Sequence, residues 1–216
     1  MPCYSFQGLV PVVHPSSFVH PLAALIGDVI VGPGCFIAPG ASLRGDFGRI
    51  IVEGHSSIQD NCALHSSPGA DCIVKRGATV GHCAVLHGCV VEENALIGIS
   101  AVVLDHAVIG AESLVAAQAL VKNDAVVPPR SLVAGNPARV IKQFEPEQIT
   151  WRNDGSGEYQ RLAGEMLTGC IEVAPLPEAE PDRPRIRSTA IPVRLHGPAA
   201  RERERRAAAH STEQKL

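Results

Sequence analysis

The chain has 216 residues, of which 45% are hydrophobic but only 4% aromatic, so a substantial core must be built from Val, Ile, Leu and Ala. No apolar run approaches the ~18 residues of a membrane span and the N-terminus lacks the regions of a signal peptide, so a cytoplasmic protein without a membrane partner is expected. The net charge of −3 divides into +6 for residues 183–216 (nine Arg/Lys, three acids) and hence −9 for residues 1–182, and an acidic body excludes a nucleic-acid reader.

Residues 1–18 (MPCYSFQGLVPVVHPSSF) place a few apolar residues among prolines and predict an extended entry segment. From Val19 a six-residue beat begins: Val19, Leu25, Val31, Ile37, Leu43, then Val52, Ile58, Leu64, then Val74, Val80, Leu86, and then Val90, Leu96, Val102, Val108, Leu114, Leu120, Val126, Leu132. A period of six is neither helical nor that of a half-buried strand. It matches the hexapeptide repeat, in which three short strands form one triangular coil of a parallel β-helix, here over residues 19–141 with about six coils. The aliphatic residue points inward, and small residues between allow the corners. Pro146 suits a first helical turn. Tyr159, Leu162, Ala163, Met166, Leu167 and Cys170 recur with helical spacing, which predicts an amphipathic helical segment over 145–172 packed on the prism. From residue 173 to 216 the composition turns to Pro and charge and predicts an extended, then disordered tail. The seven cysteines form no CxxC pair and are expected to be reduced, mostly as small core residues.

The beat breaks near three sequences: LRGD (Leu43–Asp46), IQDNCALH (Ile58–His65) and VGHCAVLHGC (Val80–Cys89). Counting faces through the breaks stacks Leu43, Leu64 and Leu86 in successive coils about 4.8 Å apart, and alternation turns the residues that follow them, Arg44, His65 and His87, outward. His65 and His87 can therefore chelate one ion from one subunit. His82 follows Val80 by two and belongs to the next face, so it completes such a site only from a neighbour around a three-fold axis. Three imidazoles leave one position of a tetrahedral zinc open for chemistry. Arg44 is expected to pair with Asp46 or Asp60, and Gln59 is either an amide that orients a metal-bound water or a polar ladder residue. His14, His20, His55, His106, His196 and His210 are read as ordinary surface or hydrogen-bonded histidines.

These three motifs resemble the γ-class carbonic anhydrase-like hexapeptide-repeat family, over about residues 10–170. The resemblance implies a left-handed β-helix and a homotrimer with metal sites at its interfaces. It also implies zinc, or iron or cobalt in its place, on His65, His82 and His87, with Gln59 near the bound water and Arg44 and Asp46 in intersubunit contacts. The opening MPCYSFQGLVPVVHP and the segments TWRNDGSGEYQRL and RPRIR are similar to the phenylacetate-degradation members of that family. This closer similarity implies a metal-dependent thioesterase acting on aromatic acyl-CoA thioesters through a zinc-bound hydroxide, a hydrolysis that needs no protein nucleophile. Carbonic anhydrase is the first alternative, although SSPGAD (Ser66–Asp71) lacks the proton-shuttling Glu of the family's most active type. A second alternative follows from GNPARVI (Gly135–Ile141), which resembles the end of hexapeptide acyltransferases, enzymes that use one His as general base. A scaffold without activity is the third.

Overall fold

The computed structural model describes residues 3–153, 155 and 157–186. The chain divides after Pro184; of the second unit only Arg185 and Ile186 are described, so the tail expected beyond them lies outside the described residues.

The first unit is a left-handed parallel β-helix of about seven turns followed by a single helix. Its inward side chains form three stacks. One runs Val13, Val31, Val52, Val74, Val91, Ile109, Val127. The second runs Val19, Ile37, Ile58, Val80, Ile97, Val115, Val133. The third runs Leu25, Leu43, Leu64, Leu86, Val103, Val121, and is called here the imidazole face. The entry segment supplies the additional coil, because Cys3–Tyr4 and Val12–Val13 pair as parallel strands with Ala24–Val31.

From Val90 onward the expected inward set is out of register by one residue. Val91, Ile97, Val103, Ile109 and Val115 are fully buried, and Val90, Leu96, Val102 and Val108 point outward. The reason lies two residues upstream of each inward position, where the chain turns a corner inside the prism and only a small side chain fits. Cys89, Ala95, Ala101, Ala107, Ser113 and Ala119 fill that position, and all are buried. At the opposite side of the corner, three residues after an inward position, Asn61, Cys83, Asn94, Ser100, His106, Glu112, Gln118 and Asp124 adopt φ between 55° and 61°. Left-handed residues without glycine cost roughly 1–2 kcal/mol each, a cost met by the stacked core they close.

Outward apolar residues on the second face need a cover of their own, and the C-terminal segment provides it. Phe144, Ile149 and Trp151 pack on Leu96, Leu114 and Leu132. Helix α1 (Glu158–Gly169) lays Tyr159, Leu162, Ala163 and Met166 on Phe18, Phe36 and Ala38. Leu167 and Cys170, which share the helical spacing, stay exposed. The segment is pinned by Asn153, whose amide donates to the His55 carbonyl and whose backbone N–H donates to Asn94, and by the Gln160 amide, which also donates to the His55 carbonyl.

All seven cysteines are free. Cys35, Cys62, Cys72 and Cys89 are buried, and burial pushes the Cys62 thiol up to about 11, which makes it a packing residue rather than a nucleophile.

Candidate functional site

Leu64 and Leu86 are in direct register on adjacent strands, and so are His65 and His87. The two imidazoles therefore project from one face in consecutive coils, with His65 Nδ1 3.1 Å from His87 Nε2. His82 stands elsewhere on the same coil. It precedes the left-handed corner at Cys83, where the chain enters the imidazole face, whereas His87 precedes the corner at Gly88, where it leaves. Among the described residues no three metal-ligating side chains of one chain come together. The imidazole face thus carries a pair of histidines at one edge and a single histidine at the other.

Each of the three is backed by a carboxylate. His65 Nε2 lies 2.8 Å from Asp46, His82 Nδ1 lies 2.6 Å from Asp60, and His87 Nδ1 lies 2.8 Å from Asp105. A carboxylate on one ring nitrogen takes that N–H and leaves a lone pair on the other. For His65 and His87 the two remaining nitrogens lie 3.1 Å apart, close enough to share a proton or to bind one cation. Two nitrogens bound at 2.0–2.1 Å to a tetrahedral metal are about 3.3 Å apart, and carboxylate-backed histidine is the usual outer shell of such a ligand. The donor set therefore fits a divalent metal, with two ligands supplied by one chain.

The surroundings carry compensating charge. Burial opposes ionisation of Asp46, but hydrogen bonds from Arg44 and His65 outweigh it and hold the carboxyl below its usual range. Asp105 behaves in the same way, with His87 and Ser67 as its donors. Arg44 closes an ion pair with Asp46 at 2.5 Å, the first of its two expected partners. Phe47, 59% exposed, rests its ring 5.5 Å from that of His65 and forms an apolar rim. Gln59 is not brought to the imidazoles: it is buried on the second face and its amide bonds to Ser57.

Asp105 is the participant that sequence reasoning missed. It stacks over Gly88, where a Cβ would stand 2.4 Å from its Oδ1, so the glycine at the corner is what lets the carboxylate reach His87. The signal was present in the HGC and LDH segments, one coil apart, once the later coils are put in their correct register.

No family model matches the chain. It is 50% identical over 189 residues to the carnitine operon protein CaiE of Salmonella typhimurium, covering 88% of this chain and 96% of that protein, and 49% identical over the same length to its Salmonella agona counterpart. The chain belongs to the CaiE family. Among solved structures, a Bacillus cereus protein provisionally described as an acetyltransferase matches with a TM-score of 0.68 at 31% identity, over 76% of this chain and 92% of that one. A hexapeptide transferase family protein of Anaplasma phagocytophilum matches with a TM-score of 0.67, also at 31% identity, over 77% and 94%. CaiE relatives at this identity overturn the assignment to the phenylacetate-degradation protein PaaY, and with it the aromatic-CoA thioesterase working through a zinc hydroxide. What the relatives support is an enzyme of the hexapeptide transferase class. Among the described residues no helix is long and apolar enough to cross a membrane.

Proposed function

We propose that the chain is an acyltransferase that takes its acyl group from a CoA thioester and works at the imidazole face. The observation that carries this reading is the set of three carboxylate-backed imidazoles, of which His82 keeps its second nitrogen open, on a chain similar to hexapeptide transferases. The His82 and Asp60 pair is the most open, with side chains 45% and 42% exposed, and suits a general base. Asp60 would hold the Nδ1 proton and steady the imidazolium, while Nε2 takes the proton of an acceptor hydroxyl or amine as it attacks the thioester carbonyl. The C–S bond then breaks and CoA leaves as the thiol. The name of the CaiE relatives makes carnitine, a hydroxy acid, the first acceptor to try.

The two remaining nitrogens of His65 and His87, 3.1 Å apart, favour a second reading of the same cluster, in which they hold a divalent metal such as zinc, iron or cobalt and His82 of a neighbouring copy gives its Nε2 to the ion as third ligand instead of acting as base. Such an ion would polarise a bound carbonyl. Copies arranged around a three-fold axis bring the His82 edge of one imidazole face to the His65 and His87 edge of the next, and the ladder Ala63, Val85, Val102, Leu120 between those edges is apolar enough to be buried there. Seven free thiols suit the reducing cytoplasm.

The test is release of CoA thiol from acetyl-CoA and longer acyl-CoA thioesters, with and without carnitine and a panel of alcohols and amines, with products read by mass spectrometry. Acceptor-dependent release with an acylated product is expected. Acceptor-independent release, or none, would overturn acyl transfer. Metal analysis of the purified protein for zinc, iron and cobalt tests the second role.

A further inference from the structure

The aromatic side chains, five Phe, two Tyr and one Trp, fall into two groups. Phe18, Phe36 and Phe144 are buried, and Trp151 and Tyr159 pack against them in the contact between the C-terminal segment and the second face. Tyr4, Phe6 and Phe47 are 55%, 42% and 59% exposed, and all three lie at the edge of the imidazole face that carries His65 and His87. Tyr4 pairs with Ile26, Ile26 with Arg44, and Leu43 with Leu64, so Tyr4, Ile26, Arg44, His65 and His87 follow one another along that edge. Phe6 comes beside Gly27: its Cβ is 3.4 Å from the point that a Cβ on Gly27 would occupy, a point 2.4 Å from the Gly45 carbonyl oxygen. A side chain at Gly27 would hold Phe6 away from the strand that carries Arg44 and Asp46. The Phe47 ring lies 5.5 Å from that of His65. The charged groups at the border are paired, Arg44 with Asp46 and Arg49 with Asp28. The edge is thus an apolar shelf that starts at the imidazoles and runs toward the first coil.

A shelf without unpaired charge that leads away from a row of imidazoles fits the apolar tail of a substrate whose reacting carbon lies at those imidazoles. We propose that Phe47 and Phe6 bind the acyl tail of the thioester, and that the protein takes aliphatic acyl groups of about four to eight carbons in preference to acetyl. The length follows from the register. Arg44 stands one strand step from His65 and Ile26 two, or about 5 and 10 Å. A saturated tail advances like extended backbone, ~3.5 Å for three bonds, so four carbons reach Phe47 and the stem of Arg44, and eight extend ~8 Å, toward Phe6. Tyr4, three steps away, marks the far end. The Arg44 stem adds apolar surface while its guanidinium stays on Asp46. Phe47 and Phe6 set specificity in this arrangement and touch no reacting atom. The inference rests on the acyl-CoA reading above, in which a neighbour's His82 comes to this same edge, for the place of the carbonyl, and on the shelf alone for the tail.

Binding to the full chain is measured by titration calorimetry with S-ethyl-, S-butyl- and S-octyl-CoA, thioethers that cannot transfer their tails. Each methylene fully withdrawn from water tightens binding about fourfold, so on a shelf that covers one side the octyl thioether is expected to bind at least about tenfold tighter than the ethyl. Phe47→Ala is expected to lower the octyl-to-ethyl and butyl-to-ethyl affinity ratios about three- to tenfold. Phe6→Ala should lower the octyl-to-ethyl ratio alone, and Phe47→Leu should keep most of the preference. Melting temperatures and solution masses check folding and assembly. Equal affinity for the three thioethers, no binding of any, or ratios unchanged in both alanine variants would each overturn the shelf. A Phe47→Ala defect confined to the KM for carnitine would show the ring holding a quaternary ammonium and would also overturn it. If no acyl-CoA is turned over with any acceptor, yet the octyl preference is present and Phe47→Ala removes it, the acyl-transfer reading fails and the shelf stands. Turnover with a kcat/KM indifferent to tail length overturns the shelf alone.

Discussion

His65→Ala and His82→Ala remove imidazoles from opposite edges of the imidazole face, and that separation sets a quantitative expectation for mixtures of the two. Because His65 and His87 sit 3.1 Å apart on one chain while His82 lies at the far corner, a boundary between two copies would draw the pair from one and the single histidine from the other. Either variant alone leaves every boundary with two imidazoles. In a mixed trimer one boundary has the right polarity to recover all three. With equal amounts and random mixing about three-quarters of trimers are mixed, and one boundary in three is complete in each, so bound metal should return to about a quarter of wild type in the mixture and about a third in isolated mixed trimers. The assay is co-refolding of differently tagged variants, isolation of mixed trimers, and metal analysis beside thiol release. The pair His65→Ala with His87→Ala should recover nothing, because each chain lacks one member of the same edge. Rescue by that second pair, or no rescue by the first in trimers shown to be mixed, would refute the shared site.

Asp105→Asn should leave the fold intact and weaken metal retention roughly 10- to 100-fold, since the outer carboxylate fixes the tautomer of His87; dialysis against a graded chelator reads it. Leu64→Ala, at a fully enclosed position, should cost about 2–5 kcal/mol in denaturant unfolding, and Ala101→Leu should destabilise by about 1–3 kcal/mol because the inner corner has no room. The Arg152 guanidinium is the main cause that holds the Glu112 carboxyl below its usual range, against a smaller opposing effect of burial. A folded-state pKa below the unfolded one stabilises above about pH 4 and is lost as pH falls through the folded value. Glu112→Gln should therefore lower stability at neutral pH by under about 1 kcal/mol, Arg152 being half exposed, and flatten the acid limb of a melting profile.

Much of this architecture was legible in the chain itself. A beat of six with small residues between the aliphatics points to a solenoid of short strands, and counting through its breaks marked Arg44, His65 and His87 as outward residues on one face. Counting alone stacked His65 over His87, because register in a parallel coil is set by residue number when the loops leave the face order unchanged. Counting failed from Val90 onward. There two adjacent aliphatics occur in nearly every hexad, and periodicity cannot say which of them is inside; the inner corner decides, since it accepts Cys89, Ala95, Ala101 or Ser113 and no branched aliphatic.

Other features depended on contacts between residues distant in number. Gln59 and Asp60 are neighbours in sequence, yet one is buried on the second face beside Ser57 and the other stands open against His82, because the strand ends at Ile58 and the turn begins at Asp60. The carboxylate of Asp105 reaches His87 only because the intervening corner is Gly88. A cavity between Lys122 and Arg139 exists only because the last coil ends there and the strand Arg139–Gln143 folds back across its rim. Periodicity along the chain determines which residues face inward or outward, whereas the partners of an outward residue depend on what the coil above and the returning C-terminal segment bring to it, and that is a property of the packed molecule alone.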